Sequence, residues 1–330
     1  MPALTVENLK MHYKVASGYV RAVDGVSFRV DKGEVLGIVG ESGCGKSSLA
    51  LTLLKLLPSN GEILGGSIRA GDTDVTNMKD NDVRTKVRWK EIAMVPQGAM
   101  NSLNPVFKVG YQIGEVFQVH NHIAKKDALE RAKSLLTLVG IDPSRANYYP
   151  HELSGGMKQR AMIAMALALN PSVLIADEPT TALDVVVQAG IIKLLLALRK
   201  EYNMAIILIS HDLALVAQMS DLIAIMYAGK FAEYGTSMEV YHSPLHPYTM
   251  GLLGAFADIR APKEELVSIP GSPPDLVDPP TGCRFNPRCA YAKEICKKEE
   301  PPFEEAAPGH YVSCHFWREI RELKKGGGGR

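Results

Sequence analysis

The sequence predicts an α/β fold organised around a glycine-rich loop, and three features carry that expectation. A glycine-rich loop separates an apolar strand from an apolar helix, two later apolar strands end in chemically active side chains, and a helical stretch lies between these parts. The 330 residues leave room for one large domain and a smaller one. With 46% hydrophobic and 22% charged residues, the composition suits a soluble chain with a substantial core. Basic and acidic residues nearly cancel, 37 against 36, so the charge balance gives no ground for a nucleic-acid partner. No apolar run approaches the roughly 20 residues of a membrane span. The nearest, 161–176, is broken by Asn170 and Pro171, and residues 1–14 carry no apolar core of a signal peptide. A cytosolic chain is expected, linked to a membrane only through a partner.

Taken in order, residues 3–30 read as short strands, with 26–30 alternating as an edge or meander strand does. Tyr13 and Tyr19 lie here; either offers a π-face to an adenine ring, and Tyr13 is the preferred candidate. The apolar run 35–39 reads as a buried strand and 48–57 as a helix ending at Pro58. Between them stands Gly40-Glu41-Ser42-Gly43-Cys44-Gly45-Lys46-Ser47, the pattern G-x-x-x-x-G-K-S. Its glycines let the backbone wrap a polyphosphate with successive N–H groups pointing inward, and the helix start adds partial positive charge. Lys46 supplies a full charge for the β- and γ-phosphates, and the Ser47 hydroxyl can ligate Mg²⁺. Cys44 is expected to be oxidisable, because a thiol at a helix N-terminus can have a lowered pKa.

Strands are expected at 68–70 and 92–95, the latter leading to Gln97 at a strand end. From about 101 to 170 the periodicity is helical, over 109–120, 127–139 and 155–170. Leu153-Ser154-Gly155-Gly156 opens the last of these, with Ser154 as N-cap and two glycines baring N–H groups. That is a second anion-binding helix start, which one phosphate site in one subunit does not need. The strand 172–176 ends in Asp177-Glu178; Asp177 can hold Mg²⁺, and Glu178 can deprotonate an attacking water. Asp184 precedes a long amphipathic helix, 185–202. The strand 205–210 ends in His211, placed to donate to a γ-phosphate, and 222–228 with 230–234 form a hairpin around Gly229.

In this order the phosphate loop, Gln97, Leu153-Ser154-Gly155-Gly156, Asp177-Glu178, Asp184 and His211 resemble the ATP-binding subunit of an ABC transporter, over about residues 4–248. The resemblance implies a P-loop NTPase core, residues 1–240, with a helical subdomain at about 101–170 and an antiparallel β subdomain. It implies that Tyr13 stacks adenine, that Gly40, Ser42, Gly43, Cys44, Gly45, Lys46, Ser47 and Ser48 line the ATP phosphates, and that Gln97 and Asp177 serve Mg²⁺ and its water. Glu178 is then the general base, and His211 steadies the γ-phosphate. Ser154, Gly155 and Gly156 act on ATP held by a second subunit, so that two subunits close head to tail around two ATP; Asp184 is a further member of the nucleotide-binding set. No heptad run separates Lys46 from Asp177, which argues against chromosome- and repair-type relatives. A single cassette argues against the tandem type. Expected partners are two transmembrane permease subunits gripped by the helical segment, a second ATPase subunit, and an extracytoplasmic peptide-binding protein. The expected location is the cytoplasmic face of the cell membrane.

Beyond residue 241 the chain turns proline-rich and irregular, and carries Cys283, Cys289, Cys296 and Cys314 in the spacing C-x5-C-x6-C-x17-C. Thiols clustered in a loop-rich cytosolic segment point to a metal more than to disulfides, and the intervals are wider than those of common zinc sites. Four thiolates suit an iron–sulfur cluster, whose charge Arg284 and Arg288 could offset. This stretch, 241–330, resembles the tail of dipeptide and oligopeptide importer ATPases, through His246-Pro247-Tyr248-Thr249 and the run from Ile269 through Gly282-Cys283-Arg284-Phe285-Asn286-Pro287-Arg288-Cys289. The resemblance implies peptide cargo and a [4Fe–4S] cluster, with Zn²⁺ as the alternative. His310 and His315 are expected at the surface, His315 being a reserve fourth ligand. The expected activity is ATP hydrolysis driving peptide import; another cargo such as oligosaccharide or nickel, or a non-transport ATPase with a redox-sensing tail, stays open. Residues 324–330 read as a flexible tail.

Overall fold

The computed structural model describes residues 2–254 and 269–326; of the tail expected at 324–330, residues 327–330 lie outside the described residues, while 324–326 end the helix Trp317–Gly326 instead of forming a loose tail. Twelve strands form two sheets among these residues: β1 Pro2–Val15, β2 Gly18–Asp31, β3 Val35–Val39, β4 Gly61–Ala70, β5 Thr73–Asp74, β6 Ile92–Val95, β7 Val173–Asp177, β8 Ala205–Ser210, β9 Leu222–Tyr227, β10 Lys230–Thr236, β11 Glu304–Ala307 and β12 His310–Val312. An antiparallel sheet runs β2-β1-β4-β5, and a mixed sheet runs β11-β12-β10-β9-β3-β8-β7-β6. Within the latter, β9, β3, β8, β7 and β6 are parallel.

The parallel strands show why their sequences are apolar runs without alternation. Val35 and Val39 pack into one core with Leu174 and Ala176, while Leu36 and Ile38 pack into another with Val173 and Ile175. Both faces of the sheet are covered, so every position gains from burial, at about 1.5–3 kcal/mol for each large apolar side chain. The first core is closed by the helices Val109–Asn121, Lys125–Leu138 and Gly155–Ala166 and by Val185–Tyr202. The second is closed by the β1–β2–β4 sheet and the helix Lys46–Leu53.

Two further features differ from the sequence expectation. Residues 3–30 form two long paired strands of 14 residues each, not several short ones. Bulges in the β1–β2 register interrupt the strict alternation that would have marked their length. The segment beyond 241 is also less irregular than expected. β12 pairs with β10 and β11 with β12, extending the main sheet, while Tyr248 and Phe285 are buried in the main core. Strands of four and three residues, Glu-Glu-Ala-Ala and His-Tyr-Val, are too short to carry a period-2 signal.

Candidate ATP site

The strands β3, β8, β7 and β6 are parallel neighbours, so their C-terminal ends open on one edge of the sheet. This is where open α/β sheets bind ligands. The phosphate loop follows β3, His211 follows β8, Glu178 follows β7 and Gln97 follows β6 two residues on. One topological fact thus gathers the predicted chemistry.

Backbone constraints build the loop. Gly45 has φ +112°, and a Cβ there would stand 2.0 Å from the Ala22 carbonyl oxygen. A Cβ on Gly40 would stand 2.1 Å from the Met226 carbonyl oxygen. No other residue fits at either position. The Lys46 ammonium is buried and donates to the carbonyls of Gly40 (2.6 Å) and Glu41 (2.9 Å), which folds the loop around it. Cys44 corrects the sequence expectation: it is 2% exposed, and burial pushes its thiol pKa up, outweighing the nearby Lys46. A helix terminus lowers a thiol pKa only where the thiolate keeps some solvation. Cys44 is a packing residue.

Asp177 is 1% exposed, and burial raises its carboxyl pKa while the Ser47 hydroxyl opposes the shift. Its Oδ1 has no hydrogen-bond partner. A buried carboxylate oxygen left unpaired is costly. Beside a serine hydroxyl and a phosphate loop, it fits an oxygen-ligated divalent cation such as Mg²⁺. Glu178, with φ +47°, turns sharply after the strand. Its Oε2 accepts from Gln97 Nε2 (3.0 Å) and from the Thr181 hydroxyl (3.0 Å), and its Oε1 lies 3.4 Å from His211 Nδ1. Gln97, Glu178 and His211 therefore converge. Thr181 was missed by the sequence reading; it orients the same carboxylate from three residues on, a spacing no local pattern distinguishes from a turn.

The remaining candidates sit around this centre. The Tyr13 hydroxyl donates to Ser48 Oγ (3.1 Å), tying the end of β1 to the start of the loop helix. Ser154 caps the helix Gly155–Ala166, its Oγ accepting from the Met157 N–H (3.3 Å). A Cβ on Gly156 would meet Val187 at 2.6 Å. Asp184 caps the helix Val185–Tyr202 by accepting from the Val187 N–H (2.9 Å). Val185 and Val186 after it are 81% and 82% exposed, an apolar pair facing outward.

The four tail cysteines and His315 line one small cavity. Burial pushes the Cys283 and Cys314 thiols up to about 11 and about 12, and raises that of Cys289. Among the described residues, no three His, Cys, Asp or Glu side chains are grouped to hold a metal ion. The arginines are not free to offset a cluster charge, as the sequence suggested. Arg284 binds Asp24 and the Ala228 carbonyl, and Arg288 binds Glu41. His310 is buried, not at the surface, with its Nε2 2.7 Å from Glu233 Oε1, because β12 carries it into the sheet.

This geometry meets known proteins at several levels. Residues 23–181 match the ABC transporter family model, and residues 232–296 match that of the oligopeptide/dipeptide transporter C-terminal region. The dipeptide transport ATP-binding protein DppD of Escherichia coli strain K12 is 47% identical over 96% of this chain and 97% of its own length. The DppD of Caldanaerobacter subterraneus is 43% identical over 97% and 99%. The oligopeptide transport ATP-binding protein OppD of Bacillus subtilis strain 168 is 48% identical over 94% and 87%. Among solved structures, the dimeric ATP-binding cassette MJ0796 in a post-hydrolysis state with ADP and Pi matches at TM-score 0.62 and 25% identity, over 71% of this chain and 98% of that one. The fold and site define an ATP-hydrolysing cassette that couples ATP turnover to transport. The chain belongs to the ABC transporter family, in its branch of dipeptide and oligopeptide transport ATP-binding subunits.

Proposed function

We propose that this chain powers the import of di- and oligopeptides, two ATPase subunits closing around two ATP. The observation that carries the reading is the convergence of Gln97, Glu178 and His211 beside Lys46, Ser47 and the unpaired Asp177 oxygen. Mg²⁺, held by Ser47 and Asp177 with Gln97, would neutralise phosphate charge there. Glu178 takes a proton from the attacking water, Gln97 orients that water, and His211 donates to the γ-phosphate. Lys46 leaves the loop carbonyls for the β- and γ-phosphates, and Gly43, Gly45, Ser47 and Ser48 hold them. Tyr13 stacks the adenine from β1.

Ser154, Gly155 and Gly156 act on the partner's ATP, with Asp184 and the exposed Val185–Val186 pair beside the closing surface. A cavity of about 450 Å³ in the helical segment, lined by Val106, Phe107, Tyr111, Lys125 and Tyr149 among others, suits an apolar helix of a permease subunit. Val106 and Phe107 are exposed there. An extracytoplasmic peptide-binding protein would supply the cargo, and the chain would sit on the cytoplasmic face through its permease. Among the described residues no helix is long and apolar enough to cross a membrane. We propose residue 240 as the boundary between the ATPase domain, with its helical part at 101–170, and the extension.

For the extension we propose a [4Fe–4S] site at Cys283, Cys289, Cys296 and Cys314, with Zn²⁺ as the second reading. The shared cavity supports it. Four thiols around one cavity make up the donor set of such a cluster. Protein purified without air should carry about four iron and four sulfide per chain; one zinc and no colour would replace the cluster by a plain clamp. The import function is tested by peptide uptake into vesicles holding the reconstituted complex. Uptake that continues without ATP turnover by this subunit would overturn it.

A further inference from the structure

We infer that Arg288, carried by the cysteine-rich extension, is a positioning residue for the ATP site and acts through Glu41 of the phosphate loop. Arg288 is buried at 7% exposure, yet 247 residues separate it from its partner. Its Nη1 donates to Glu41 Oε2 (2.6 Å) and its Nη2 to Glu41 Oε1 (3.0 Å), the bidentate geometry that fixes a carboxylate most firmly. The guanidinium is itself aimed, since Nε donates to the Pro270 carbonyl (2.7 Å) and Tyr227 OH lies 3.4 Å from Nη1.

Glu41 is held on every polar group. Its N–H donates to Tyr248 OH (2.9 Å), a second residue from beyond the hairpin, and its carbonyl accepts from the Lys46 ammonium (2.9 Å). The residue that sets the resting place of Lys46 is thus clamped from two points of the extension. An uncompensated Glu41 carboxylate would stand in the same short loop as a triphosphate and repel it. Arg288 cancels that charge and stops the carboxylate from competing for Lys46. The turn Asn286–Arg288 lies between Cys283 and Cys289, so the clamp is mounted on the cysteine segment itself.

The inference rests on the phosphate-loop reading above. Its test is the affinity of the full chain for a fluorescent ATP analogue with Mg²⁺, read beside the thermal midpoint. Arg288→Ala should bind about 10- to 100-fold more weakly, the range for losing a charge-assisted pair. Arg288→Ala with Glu41→Gln should return to within about fivefold of the native chain, because the stranded carboxylate is gone. Lys293→Ala, which breaks the exposed pair with Glu319, should stay within about twofold. Unchanged affinity for Arg288→Ala, or a double variant as weak as the single, would reduce Arg288 to a tail fastener and overturn the inference. Should Arg288→Ala not fold, Arg288→Gln decides in the same way, since its amide keeps a polar contact but removes the charge that cancels Glu41. A native chain that fails to bind the analogue would sink the phosphate-loop reading, and this inference with it.

Discussion

Replacing Glu178 by Gln isolates the proton-transfer step, because the structure gives the amide a place that changes little else. Glu178 Oε2 accepts from Gln97 and Thr181, and an amide oxygen in that position keeps both bonds. The amide nitrogen then takes the place of Oε1, facing His211 Nδ1, which in its acceptor tautomer receives the new N–H. Volume and the φ +47° turn are unchanged. What disappears is the basic lone pair, worth about 10²- to 10⁴-fold in rate for a general base. That is about 3–5 kcal/mol of barrier at 1.36 kcal/mol per tenfold. Phosphate release by the assembled transporter should fall by that factor while analogue affinity stays within about threefold. The variant should also accumulate as an ATP-closed dimer on size exclusion. Turnover within about fivefold of the native complex would refute the assignment and move the base elsewhere.

Gly45→Ala should abolish analogue binding and destabilise the chain by about 2 kcal/mol or more, since a Cβ 2.0 Å from the Ala22 carbonyl meets rigid backbone at φ +112°; a native affinity would show that the loop is not held as described. His246 is buried, accepts from the Tyr248 N–H at Nδ1 (3.0 Å), and has its pKa lowered by burial to about 4 from 6.5. Only the unfolded chain gains its proton between those values, so stability is complete above pH 6.5 and is lost as the pH falls toward 4, by about 3 kcal/mol from this group. Denaturant titrations of His246→Gln should lack that slope; parallel pH curves for the two chains would count against it.

The ATP site was legible because its residues lie at strand ends and helix starts, where local pattern and chemistry coincide. Lys46, Asp177, Glu178 and His211 each follow an apolar run, and the parallel order of β3, β8 and β7 turns separate positions into one edge. Two expectations failed for one shared reason: desolvation is a three-dimensional quantity. The dipole argument for Cys44 was local, but the loop closes over the thiol and burial dominates. His310 looked like a loop residue, yet β12 seats it against Glu233, whose carboxylate also receives the N–H groups of Leu245 and His246.

The arginines of the extension show where a sequence pattern stops carrying information. Arg284 and Arg288 lie among cysteines, and proximity in sequence suggested that they serve the thiols. Their partners, Asp24 and Glu41, lie 260 and 247 residues away. No periodicity links such positions, and a charge in a loop-rich segment looks solvated until its burial is known. The cost of burying a guanidinium makes that pairing informative afterward. An unpaired buried charge costs several kcal/mol, so a fold that buries two arginines must aim each at a carboxylate. Here one carboxylate belongs to β2 and the other to the phosphate loop. The extension therefore cannot leave its seat without breaking the Arg284–Asp24 and Arg288–Glu41 pairs, and the second of these leaves a carboxylate exposed in the phosphate loop itself.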